Sequence, residues 1–110
     1  MQTIVQVICT PGRSVRDAIA RHPRIGEHDL VVSAQKNPER AHGWTKLHSS
    51  RPGVHGAINV QWNADARILL ARVITRGKGG GPGPIIGDFV EFLLARLSRR
   101  VECINIIPRR

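Results

Sequence analysis

QKNPERAHGWTKLHSSRPGVHG, residues 35–56, decides the fold of this chain, because its reading sets the direction of every strand that follows. Pro38, Gly43, Pro52 and Gly53 interrupt it, and a stretch this irregular inside a compact domain is as a rule functional or mobile. Its centre, residues 44–48, nevertheless alternates, with Trp44, Lys46 and His48 on one side and Thr45 and Leu47 on the other. If 44–48 is a loop, the second strand of the following hairpin runs parallel to the first strand of the chain. Both strand-to-helix turns then open on one edge of the sheet, where open α/β sheets bind ligands. If 44–48 pairs as a strand, the direction flips and the two turns lie on opposite edges. The density of breakers favours the loop.

On the N-terminal side, residues 3–9 are mostly apolar and rich in β-branched types, and Thr10-Pro11-Gly12 ends the run, which predicts a buried strand. Ser14 is an N-cap candidate with Asp17 three residues on. Val15, Ala18 and Ile19 then share a helical face, and Pro23 limits that helix to about two turns. Residues 30–34 make a second short strand. On the C-terminal side, residues 57–62 alternate, Asn63-Ala64-Asp65 supplies turn chemistry, and residues 67–75 return as a long strand. Pro84 occupies a first helical position, followed by Ile86, Phe89, Val90, Leu93, Leu94 and Leu97 at helical spacing down to Arg100. Residues 102–107 close the chain as a strand. The fold class expected is α/β (or α+β): one domain over residues 1–110, a single mixed sheet of five to six strands with two helices, in the order β-α-β-(β)-β-β-α-β.

The 110 residues are 41% hydrophobic and 23% charged, a balance that suits a globular domain and not a disordered segment. Cys9 and Cys103 match no zinc or CxxC spacing and read as reduced core thiols. No apolar run approaches ~18 residues and the first residues carry no basic leader, so the expectation is a cytoplasmic protein without a membrane segment. Charge is the strongest functional signal. A formal net charge of +9, from 17 Lys+Arg against 8 Asp+Glu, calls for an anionic partner: nucleic acid, or another polyanion.

The sites that follow are of three kinds. Phosphate-binding candidates are Arg76, Lys78, Gly79, Gly80 and Gly81 in the glycine-rich turn before the second helix, with Arg13 at the first helix and Arg72 on the long strand. The turn matches neither GxxxxGK[ST] nor GxGxxG, which argues against a nucleoside triphosphatase. Trp44 is the candidate base-stacking residue, supported by the cations Lys36, Arg40, Lys46 and Arg51, whereas Trp62 and Phe89 fall on apolar stripes, Phe92 lies in the second helix, and all three read as core. His42, His48 and His55 are candidate catalytic groups for metal-independent RNA cleavage, in which the substrate's own 2′-hydroxyl attacks. They show no HxxxH spacing on a helix and no cysteine among them, so no metal and no cofactor is assigned. Arg96, Arg99 and Arg100 complement the end of the second helix, and Arg109 and Arg110 form a solvated tail. Neither helix offers a polar groove-reading face, which favours RNA or another single strand over duplex DNA. Two other readings stand beside nucleic-acid binding: a metal-independent RNase, and an interaction module for an acidic protein partner.

Overall fold

Residues 44–49 are a strand. Thr45 and Leu47 are fully buried, and they face Val60 and Ile58 of the neighbouring strand. The breakers that favoured a loop all lie outside it, in the turn before and the loop after, so nothing within the segment opposes pairing. The computed structural model describes residues 2–75 and 80–109, as six strands and two helices in the expected order: β1 (Gln2–Cys9), α1 (Val15–Ala20), β2 (Leu30–Lys36), β3 (Trp44–Ser49), β4 (Ala57–Asn63), β5 (Ile68–Ile74), α2 (Gly83–Arg96) and β6 (Val101–Arg109). Short 3-10 turns, Ile25–His28 and Ser98–Arg100, precede β2 and β6.

The strands form one sheet in the order β2-β3-β4-β5-β1-β6, and every pairing is antiparallel. Inserting β3 reverses β4 and β5, so β5 runs against β1, with Gln2 opposite Ile74, and the sheet has no parallel pair. The turn into α1 and the segment leading into α2 consequently leave the sheet at opposite ends.

Period-two alternation puts Val5, Val7, Leu47, Ile58, Val60, Leu69, Ala71 and Val73 on one face. Val15 and Ile19 of α1 and Ile85, Phe89, Phe92 and Leu93 of α2 complete that single core. Both helices therefore cover the same side. β1 is buried on that side alone, in strict alternation, rather than on both as its apolar content suggested. Ser14 caps α1 as expected, its hydroxyl accepting from the Asp17 amide at 3.1 Å. Proline lies in the first turn of α2. Cys9 is buried, and burial raises its thiol pKa. Cys103 is not a core thiol: it is exposed, on the helix-free side of the edge strand β6, opposite Ile8.

α1 also buries a charge. Arg16 is 3% exposed and donates to the carbonyls of Pro38 (2.7 Å), Arg40 (3.0 Å) and Gly43, all in the turn joining β2 to β3. Burial lowers the guanidinium's pKa, opposed by the neighbouring Asp17. The turn it grips is tight: a Cβ on Gly43 would lie 1.9 Å from the Asn37 carbonyl oxygen.

Candidate nucleic-acid interface

Among the described residues, no layer covers the face of the sheet opposite the helices. Its side chains explain why. One row across it runs Lys46 (β3), Asn59 (β4), Arg72 (β5), Ile4 (β1) and Ile107 (β6). In the next row Lys36 stands beside Trp44, and Gln61, Leu70, Gln6 and Asn105 continue the line, with Asn105 donating to the Gln6 side chain at 3.1 Å. A helix packed here would strand three cations and four amides away from water, at a cost of several kcal/mol. The outer strand β6 adds Arg109, opposite Gln2.

Most of the carboxylates lie in or beside the helices and turns. Asp17, Glu27, Asp88 and Glu91 sit in helical elements, Asp29 directly follows one, Glu39 and Asp65 are in turns, and Glu102 is the unpaired residue of a bulge in the edge strand β6. Five of these eight carboxylates have a basic partner: Asp17 has Arg21, Glu27 has Arg24 and Arg96, Asp29 and Asp88 share Arg51, and Glu91 meets His28. Among the described residues, Lys36, Lys46, Arg72 and Arg109 make no ion pair. The open face thus carries cations, amides, an indole and apolar side chains, and Glu102, at the β6 bulge, is the one carboxylate in the described strands.

No family model matches the chain, and no curated protein or solved structure does either. Function must be read from the surface itself.

The open face gathers Trp44, Lys36, Lys46, Arg72 and His48, residues that are spread over almost forty positions of the sequence. Trp44 is half-buried there, backed by the strand and not by the core. The other candidates lie elsewhere. Arg51 is not a free supporting cation: its guanidinium clasps Asp88 at 2.8 Å and so fastens the β3–β4 loop to α2. Arg40 is exposed in the β2–β3 turn, where its carbonyl serves Arg16. Arg13 is exposed in the turn into α1, and its carbonyl accepts from Arg100, which also binds the Thr10 hydroxyl. Gly80 and Gly81 are exposed, both at φ +80°. The assignments to Arg76, Lys78 and Gly79 lie outside the described residues, as does Arg110. Arg109 belongs to β6 and not to a tail.

His42 is exposed in the β2–β3 turn near Asn37, at the far end of β3 from His48. His48 and His55, by contrast, line one groove of about 350 Å³ with Lys46, Gly56, Ala57 and Ile74. A fourth histidine has the partners of a catalytic group without the access. His28, 7% exposed, accepts from Arg96 Nε at 3.0 Å through Nε2, so its proton resides on Nδ1 and is donated to Glu91 at 3.1 Å. Both ring nitrogens are committed, and the ring edge packs on Phe92: the group ties the 3-10 turn before β2 to α2. Among the described residues no three His, Cys, Asp or Glu side chains converge as a metal site requires, and no helix is long and apolar enough to cross a membrane.

The amides Gln6, Asn59, Gln61 and Asn105, the buried Arg16 and the hydroxyl of Ser33 were not singled out from sequence. Alternation marks the amides as facing away from the apolar set of each strand, but only the register assembles them into rows.

Proposed function

We propose that this chain binds single-stranded nucleic acid, RNA in particular, across the uncovered sheet face. The observation that carries the reading is the make-up of the open face: Lys36, Lys46, Arg72 and Arg109, none in an ion pair among the described residues, stand there with the Trp44 indole and four amides. Backbone phosphates meet Lys46, Arg72 and Lys36, a base stacks on Trp44, and the amide row offers donors and acceptors to base edges. Adjacent strands lie about 4.8 Å apart, so Lys46 and Arg72, two strands from each other, have backbones separated by roughly 10 Å. An open sheet face with this spacing suits an extended single strand better than the groove of a duplex.

Fluorescence titration with a short single-stranded RNA tests this. Log affinity should fall linearly with log salt, with a slope of about −0.7 per neutralised phosphate. Lys46→Ala combined with Arg72→Ala should weaken binding and reduce that slope by about 1.4, since two contacts are lost. Arg21→Ala with Arg24→Ala, on the helical side, removes the same charge and should change affinity far less. Binding indifferent to salt would refute the reading, and equal losses from both pairs would reduce it to diffuse attraction of a basic protein. Tighter binding to an acidic polypeptide than to RNA would replace nucleic acid with a protein partner.

A further inference from the structure

We propose that the groove between β3 and the β3–β4 loop is a metal-independent ribonuclease centre, with His48 as general base and His55 as general acid. The proposal rests on the RNA-binding reading of the same face and adds a reaction to it. Its starting point is a tautomer. The Ser33 hydroxyl donates to the Lys46 carbonyl at 3.3 Å, which leaves its oxygen as an acceptor toward His48 Nδ1, 2.6 Å away. We assign the ring proton to Nδ1, the tautomer in which the Ser33 oxygen accepts, so that Nε2 of the neutral imidazole presents a lone pair. Ser33 is the positioning residue, in the manner of the third group that orients the base of a nucleophile–base pair.

The groove holds what the reaction needs. Lys46, His48 and His55 are the titratable groups lining it. Gly56, at φ +127°, brings the loop against β5 so closely that a Cβ there would lie 2.9 Å from Thr75 Cγ2, which sets His55 at the rim beside Ile74. In the step proposed, His48 Nε2 takes the proton of a ribose 2′-hydroxyl, and the 2′-oxygen forms a bond to the adjacent phosphorus. The bond from phosphorus to the 5′-oxygen breaks, and protonated His55 delivers its proton to that leaving oxygen. The products are a 2′,3′-cyclic phosphate and a free 5′-hydroxyl, with no metal, water or redox partner consumed. Lys46 balances the charge that builds on the non-bridging oxygens.

The test uses the full chain in EDTA with a labelled single-stranded RNA, and the 2′-O-methyl RNA of the same sequence to measure binding without cleavage. Wild type should yield fragments ending in 2′,3′-cyclic phosphate, with a bell-shaped pH profile that reports one base and one acid. His48→Ala and His55→Ala, prepared in parallel, should each cut the rate by about 100-fold or more, each removing one limb, while binding the 2′-O-methyl strand within about twofold of wild type. Ser33→Ala should lower kcat by about tenfold at unchanged KM, with Ser33→Thr restoring it. RNA bound but left intact would overturn the proposal and leave the binding reading standing, as would equal cleavage by wild type and His48→Ala, the mark of a contaminant. Failure to bind the 2′-O-methyl strand at all would overturn both.

Discussion

Arg16→Ala should cost about 3 kcal/mol of stability, lowering the melting temperature by roughly 12–24 °C for a domain near this size. The charged guanidinium satisfies three carbonyls, and each hydrogen bond to a charged group contributes about 1.5–3 kcal/mol. Not all of that is lost, because an opened turn lets water reach the freed oxygens. Against a total stability of about 5–15 kcal/mol the remainder is still large. Arg16→Lys should recover only part of it, since a single ammonium cannot span three acceptors set around a planar fork. Hydrogen exchange gives the local readout: the amides of Arg40 and Gly43, bonded to Asn37 and Arg40 at 2.9 and 3.0 Å, should lose protection first. Gly43→Ala should open the same turn by collision with the Asn37 carbonyl. A loss below about 1 kcal/mol for Arg16→Ala would mean that the turn holds itself closed without the clamp.

That clamp connects the hidden side of the fold to the proposed binding face. The β2–β3 turn ends one residue before Trp44 and begins directly after Lys36, so its closure fixes where the indole and its neighbouring cation stand. Arg16 was illegible in the sequence for a specific reason. It adjoins the apolar positions Val15 and Ile19 on a short helix, where an arginine ordinarily reaches solvent, and its acceptors are backbone atoms more than twenty residues away. The β4–β5 hairpin, the apolar stripe of α2 and the Ser14 cap were legible because each depends on near neighbours in the chain. Strand β3 depends on distant ones. Its two inward residues, Thr45 and Leu47, are too few to announce burial, and only pairing with Ile58 and Val60 makes them core. The open face has the same origin. Trp44, Lys46 and Arg72 could each be picked out as candidates, but their coplanarity follows from a register that runs through β3. The alternation of 44–48 already held the correct faces, and it was the neighbouring prolines and glycines that outweighed it.

The two tryptophans should respond oppositely to truncation. Trp62 is 7% exposed, on the core face of β4 and opposite Leu69, and Trp62→Ala should cost about 3–5 kcal/mol as a large-to-small change in a packed interior. Its indole also lines the groove of about 460 Å³ between α1 and the β2–β3 turn, with Arg16 and Arg40 on the same wall. Truncation there removes support from the turn that Arg16 grips, so the Trp62→Ala, Arg16→Ala double variant should lose less than the sum of the two single losses. Trp44 lies on the opposite face of the sheet, half-buried by its strand neighbours, and Trp44→Ala should change stability by only about 1 kcal/mol. Affinity for single-stranded RNA should instead fall roughly 5- to 150-fold, the equivalent of about 1–3 kcal/mol for a lost base stack. Quenching of Trp44 fluorescence on RNA binding, retained in Trp62→Phe and absent in Trp44→Phe, would place the stacked base directly. Unchanged affinity in Trp44→Ala would remove the indole from the site and leave the cations of the open face to act alone.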